Sequence, residues 1–304
     1  MLSAFAAEVI MSQGVPYSAR QQDLFYPAKN VDLFPKQRPK SDAELCAWMA
    51  WLAYCDQFPD FAFDRGKIVQ ALQPLDFKPA GFFESKGHER NGGTHCFVAF
   101  HDDVVKENQL AVVAFRGTDK DDPTDLFDDL DAPLVDWNSA GKVFDGFNDA
   151  FAEVQMDLLP VVQAMDCKLL FTGHSLGAAL ATLLASLKAP HSLYTIGSPR
   201  VGDHDFVASL SIVDSSRYVD CCDAVTQLPP PFLGYAHLGD PLYIDRNRHV
   251  SENPSDDFVS ADRLRARADY FLQYAWKSGN VGVRDLADHA PINYVTAIAA
   301  AAQT

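Results

Sequence analysis

Between Lys168 and Cys221, short apolar runs alternate with longer helical patterns: a strand over 168–172, a helix over 176–188, a strand over 192–196, a helix over 203–212 and a strand over 216–221. Units of this kind bury both sorts of apolar face when the strands lie parallel in one sheet, with helices on both faces. Upstream, apolar runs at 79–84, 95–102 and 109–116 are joined by short connections, which predict antiparallel neighbours. The expected fold class is α/β, a mixed sheet that is mostly parallel in its second half. A Ser-Asp-Ala-Glu box at 41–44 predicts a capped helix running to about Phe58, and further helices are expected at 146–164, 260–276 and 286–302. Residues 1–40 carry Pro16, Pro27, Pro35 and Pro39 without sustained periodicity, so they read as an irregular arm packed on one body spanning 41–304.

At the first strand-to-helix junction of the parallel half stands Gly173-His174-Ser175-Leu176-Gly177. A serine on a turn this sharp adopts a strained backbone, and glycine at 173 and 177 removes the collisions that side chains there would make. The turn also sets the Ser175 hydroxyl at a helix N-terminus, where unpaired N–H groups favour developing negative charge. A small-residue turn made for packing would look similar, but the strand before it and the Ala-rich helix after it favour an activated nucleophile.

Charge and length exclude several alternatives. The chain has 304 residues and a net charge of −16, which repels phosphate backbones and anionic headgroups, so nucleic-acid partners are not expected. Apolar residues make up 48%, yet no run is long enough to span a bilayer. The opening Met1-Leu2-Ser3-Ala4-Phe5-Ala6-Ala7 has no basic residue before it and meets Glu8 soon after, so it makes no clear secretory leader; a cytoplasmic chain and one exported without a recognisable leader both stay open. Cys46, Cys55, Cys96, Cys167, Cys221 and Cys222 show no metal-ligand spacing, and buried free thiols are expected. No metal or organic cofactor is implied.

Four blocks resemble the class 3 (fungal-type) lipase family of α/β-hydrolase proteins: Ala114-Phe115-Arg116-Gly117-Thr118, the stretch from Gly173 to Ala179, Ile196-Gly197-Ser198-Pro199-Arg200-Val201-Gly202-Asp203, and Asp223-Ala224-Val225-Thr226-Gln227-Leu228-Pro229-Pro230. The resemblance spans roughly 42–300, and the first 40 residues lie outside it. It implies a Ser-His-Asp triad. Ser175 is the nucleophile on an elbow of Gly173, His174 and Gly177, and the backbone N–H of Leu176 and Thr118 form the oxyanion hole. Asp220 and Asp223 both follow the strand 216–221, and Asp223 sits in the family block that holds the acid. Of His237, His249 and His289, the last lies in Asp288-His289-Ala290-Pro291-Ile292-Asn293-Tyr294, which is similar to the family's late histidine block, with Pro291 a departure from it.

The activity implied is ester hydrolysis, foremost by a triacylglycerol lipase meeting its substrate at a lipid–water interface. A soluble carboxylesterase, a phospholipase A1 and a feruloyl esterase would share the triad, and a non-catalytic hydrolase-fold binding module is the reading from another class. The segment 119–136 holds eight aspartates and one lysine, with Leu126, Leu130 and Leu134 four apart. By resemblance it is a lid, a short amphipathic helix up to Pro133; a solvated acidic loop is the other reading. The number of subunits stays open.

Overall fold

A computed structural model describes residues 17–57, 62–85, 93–118, 133–138 and 140–303. Its main sheet has eight strands: β1 (Lys78–Glu84), β2 (His95–His101), β3 (Leu110–Phe115), β4 (Lys168–His174), β5 (Ser192–Ile196), β6 (Ser215–Asp220), β7 (Pro241–Ile244) and β8 (Val250–Glu252). They lie side by side in chain order. β1, β2 and β3 are antiparallel, β3 to β7 run parallel, and β8 returns antiparallel along β7. Around the sheet stand α1 (Gln21–Phe25), α2 (Asp42–Leu52), α3 (Arg65–Leu72), α4 (Asp145–Gln163), α5 (Leu176–Leu187), α6 (His204–Ser209), α7 (Asp256–Gln273), α8 (Arg284–Ala287) and α9 (Pro291–Ala301). Short strands at 134–136, 142–144, 202–203 and 235–236 form a second small sheet.

Successive side chains of a strand point to opposite faces, and in the centre of this sheet both faces are covered. Cys96, Val98, Ala111, Val113, Phe115, Leu169 and Phe171 enter a core with Phe151 of α4 and Leu180 and Leu184 of α5. Their neighbours Phe97, Ala99, Val112, Ala114 and Leu170 enter the opposite core with Leu45 and Met49 of α2 and Val295 and Ile298 of α9. Burying each large apolar side chain contributes about 1.5–3 kcal/mol. The central runs are therefore apolar throughout instead of alternating. The arm joins the second core through Ala19, Leu24, Ala28 and Phe34.

Several boundaries differ from expectation for local reasons. The helix expected to reach Phe58 ends at Leu52, because Asp56–Gln57 turn back to pair with Ala62–Phe63. The helix expected over 203–212 is shorter: the Asp203 side chain accepts the Phe206 N–H, and the helix closes at Ser209. The helix expected over 286–302 is two pieces, since Pro291 lacks an N–H and suits only the first turn of α9. Residues 17–40, expected irregular, hold α1 and a 3-10 stretch, Pro27–Leu33. The expected lid falls outside the described residues up to 132, and Leu134 belongs to the strand Leu134–Asp136, not to a helix. All six cysteines are free, five of them buried. Among the described residues no helix is long and apolar enough to cross a membrane.

Candidate active site

The site is built on the ends of β3 and β4. Their register pairs Phe115 with Gly173, which carries Thr118 and Ser175 past the sheet edge together. Ser175 has φ 57° and ψ −128°, a conformation that costs a side-chain-bearing residue about 1–3 kcal/mol. The turn is affordable only through its glycines. A Cβ at Gly173 would stand 2.2 Å from the Gly177 carbonyl, and one at Gly177 would stand 2.4 Å from the Phe115 carbonyl oxygen. The Ser175 N–H donates to the Ile196 oxygen at 3.0 Å, tying the elbow to β5. Leu176 opens α5, in the turn whose N–H groups have no intrahelical acceptor. Thr118 Oγ1 is buried and has no hydrogen-bond partner among the described residues.

The candidate acid and base come from loops on the other side of the elbow. Asp223 follows β6 and His289 occupies the link between α8 and α9; both are fully buried. His289 Nδ1 lies 2.8 Å from Asp223 Oδ2, and that oxygen also accepts the Tyr294 hydroxyl at 2.5 Å. Asp223 Oδ1 accepts the Val225 N–H at 2.9 Å, so three donors hold the carboxylate in one orientation. The imidazole therefore carries its proton on Nδ1 and presents Nε2 as the free base. That nitrogen is buried with no hydrogen-bond partner among the described residues, so its bond to Ser175 is open in this state. Asp220 does other work: its carboxylate receives Arg248 Nη1 at 2.9 and 2.7 Å.

The other histidines are held apart from this pair. His237 Nε2 donates to the Thr226 carbonyl at 2.8 Å, and burial beside Arg217 and Arg200 drives its pKa well down. His249 is exposed beside Asp245. His174 belongs to the site as a support. Its Nε2 donates to the His289 carbonyl at 2.8 Å, and Nδ1 receives the Tyr54 hydroxyl at 2.7 Å. Burial keeps His174 neutral, and its ring lies 4.5 Å from that of His289. Sequence reasoning missed Tyr54, which sits in the turn just after α2, 120 residues from His174, and Tyr294, a tyrosine among the apolar residues of α9. Among the described residues, Cys221, Cys222 and Asp288 bring candidate metal-ligand atoms within 4.8 Å of one another. Arg284, Tyr17 and the Cys222 N–H already occupy the Asp288 oxygens, so the group is a hydrogen-bonded cluster and a poor cation site.

A serine on a β-strand-to-helix elbow, with an acid after a later strand and a histidine after that, on a largely parallel sheet, defines an α/β-hydrolase. Within that class the chain is similar to the class 3 lipases: their family model, Lipase (class 3), matches residues 112–233. A lipase of Rhizomucor miehei is 39% identical over 126 residues, 36% of this chain and 34% of that protein. The secreted mono- and diacylglycerol lipase 1 of Fusarium solani is 36% identical over 115 residues, again 34% of each. The match thus spans about a third of the length of these curated relatives. In three dimensions the fold is shared with a solved triacylglycerol lipase whose catalytic centre is a serine protease triad: TM-score 0.55 and 26% identity over 74% of this chain and 91% of that one.

Proposed function

We propose that this chain is a triacylglycerol lipase that cleaves acyl esters through Ser175, His289 and Asp223. The observation that carries the reading is the buried Asp223–His289 pair at 2.8 Å, oriented with an Nε2 that has no partner among the described residues, on the same end of the sheet as a strained serine elbow. His289 takes the Ser175 proton as the hydroxyl attacks the ester carbonyl, and Asp223 stabilises the imidazolium without taking the proton. The Leu176 N–H and Thr118 receive the oxyanion; each such donor is worth about 3–4 kcal/mol of barrier. The alcohol leaves with the proton from His289, and water then repeats the sequence on the acyl-enzyme. Substrate is met at a lipid–water interface, a reading supported by the lipases and the secreted acylglycerol lipase to which the chain is similar.

Initial rates on p-nitrophenyl esters from acetate to palmitate and on emulsified trioctanoin test this, with Ser175→Ala in parallel. Turnover of the triglyceride that disappears in Ser175→Ala is the expected result. Hydrolysis confined to short soluble esters would replace the lipase by a carboxylesterase, and activity surviving in Ser175→Ala would remove the serine mechanism altogether.

A further inference from the structure

The arm before α2 lies outside the lipase resemblance and beyond the matched family region, yet its first described residues run into the loop that carries His289. The Tyr17 hydroxyl donates to Asp288 Oδ1 at 2.7 Å. Asp288 immediately precedes His289 and is wholly buried. Its other oxygen accepts the Cys222 N–H at 2.9 Å, one residue before Asp223, and Arg284 Nε at 3.0 Å. One carboxylate therefore ties together the backbone before the acid, the helix before the base and the arm.

The next residue repeats the connection. Ser18 N–H donates to Asn293 Oδ1 at 2.8 Å, and Asn293 Nδ2 returns to the Ser18 carbonyl at 2.8 Å and to Ala287 O at 2.9 Å. This clasps the arm to both helices that flank His289. Two guanidinium groups lie against the Tyr17 ring, Arg284 at 5.2 Å and Arg248 at 5.6 Å from its centre. Arg248 reaches Asp220, and it does so from a backbone with φ 73°, rarely adopted by a residue with a side chain. Asp220 in turn donates its N–H to the Tyr294 hydroxyl that holds Asp223. Two charges of each sign, Arg248 with Asp220 and Arg284 with Asp288, form close hydrogen-bonded pairs here, all buried but the partly exposed Arg248, an arrangement that stays ordered only while every member is satisfied.

We propose that Tyr17 is a positioning residue for the acid and base, and that the N-terminal arm is a buttress which sets the Asp223–His289 pair through Asp288 and Asn293. The proposal rests on the serine-hydrolase reading above. Tyr17 touches no reacting atom; it fixes the two loops against each other from behind. The hydroxyl is the part that matters for orientation, while the ring packs against the guanidinium groups.

Tyr17→Phe keeps the ring and deletes the donation to Asp288. The test compares it with the full-length wild-type chain in ester hydrolysis, in the second-order rate of fluorophosphonate labelling at Ser175, and in the downfield ring-NH proton resonance of His289, assigned by its loss in His289→Ala. Expected are a roughly tenfold lower kcat and labelling rate per active site, a KM within about twofold, and a shifted or broadened resonance. Unchanged kcat and resonance overturn the proposal, as does a lower melting temperature with normal turnover per titrated site, which would make Tyr17 merely structural. Should Tyr17→Phe fail to fold, Arg248→Lys, which keeps the charge and loses the paired contact with Asp220, is read by the same three measurements. A wild-type chain inert toward every ester and unlabelled by the probe would sink the hydrolase reading; the His289 resonance in Tyr17→Phe then decides the buttress by itself.

Discussion

Tyr294→Phe separates the support of the acid from the chemistry of the triad. The Tyr294 side chain is fully buried on α9; its hydroxyl donates to Asp223 Oδ2 at 2.5 Å and accepts the Asp220 N–H at 3.0 Å. Deleting one oxygen removes a hydrogen bond to a charged acceptor, about 1.5–3 kcal/mol, and strands a buried N–H, about 1–3 kcal/mol. The ring stays, so no cavity of consequence opens, and a net loss near 3 kcal/mol is expected. At about 2 cal/mol/K of unfolding entropy per residue, that lowers the melting temperature of a 304-residue chain by about 5 °C. Turnover behaves differently. Asp223 keeps the Val225 N–H on Oδ1 and His289 on Oδ2, so the imidazole retains its tautomer and loses only some of its rigidity. A roughly tenfold fall in kcat is expected, far short of the ~10⁴-fold loss that follows when the acid itself is replaced by its amide. Thermal unfolding followed by circular dichroism, with kcat on p-nitrophenyl butyrate, gives both numbers. A melting temperature within 1 °C of wild type, or a loss of activity as large as that of Asp223→Asn, would refute the reasoning.

The remaining expectations concern the histidines. His289→Ala should lower kcat by about 10⁴-fold or more with folding retained, whereas His237→Ala, which removes only a donor to the Thr226 carbonyl, should keep most turnover and lose stability; steady-state kinetics with melting curves distinguishes them, and the opposite pattern would assign the base to His237. Stability should fall in acid, because burial lowers the pKa of His174 and of His237 and pushes that of His95 down to about 3. These groups stay neutral in the folded chain and bind protons on unfolding, so the stability they contribute is full above the unfolded histidine pKa of about 6.5 and is lost as pH drops below it. Three such groups cost about 3 kcal/mol between pH 6.5 and 5.5, read as a denaturation midpoint that declines over that interval; a midpoint flat over that unit would count against neutral burial.

Legibility followed the range of the interactions involved. The parallel half was readable because its central strands β3 and β4 are apolar on both faces and each helix between strands carries its own period. α3 and the pair β7 and β8 were not foreseen: all are short and of mixed polarity, and the two strands are fixed by pairing at the sheet edge more than by their own pattern. Ser175 stands out through its two glycines, since the collisions they avoid are all within a few residues or with the adjacent strand. Asp223 and His289 could be chosen only by resemblance, because Asp220 offers the same chemistry three residues away. What separates the two aspartates is a partner 66 positions on for one and Arg248, 28 positions on, for the other. Pro291 looked like a departure that disturbs the late block; it opens α9 and leaves His289 in a two-helix break instead of inside a helix.

That break shows how differently the two halves of the site are held. Ser175 and Thr118 stand two and three residues beyond a β-ladder pair, so moving either one means breaking main-chain hydrogen bonds of the central sheet. Asp223 and His289 stand on loops, and their separation is set by side chains: Tyr294, His174 and Tyr54 on one side, Asp288, Asn293 and Tyr17 on the other. A ladder depends on backbone atoms and tolerates most substitutions on its outer residues. A side-chain network depends on each hydroxyl and carboxylate in it, and none of its members is replaceable by an apolar residue without stranding another. A change far from Ser175 in sequence, at Tyr17, should therefore act on kcat through the acid and base and leave the serine elbow intact.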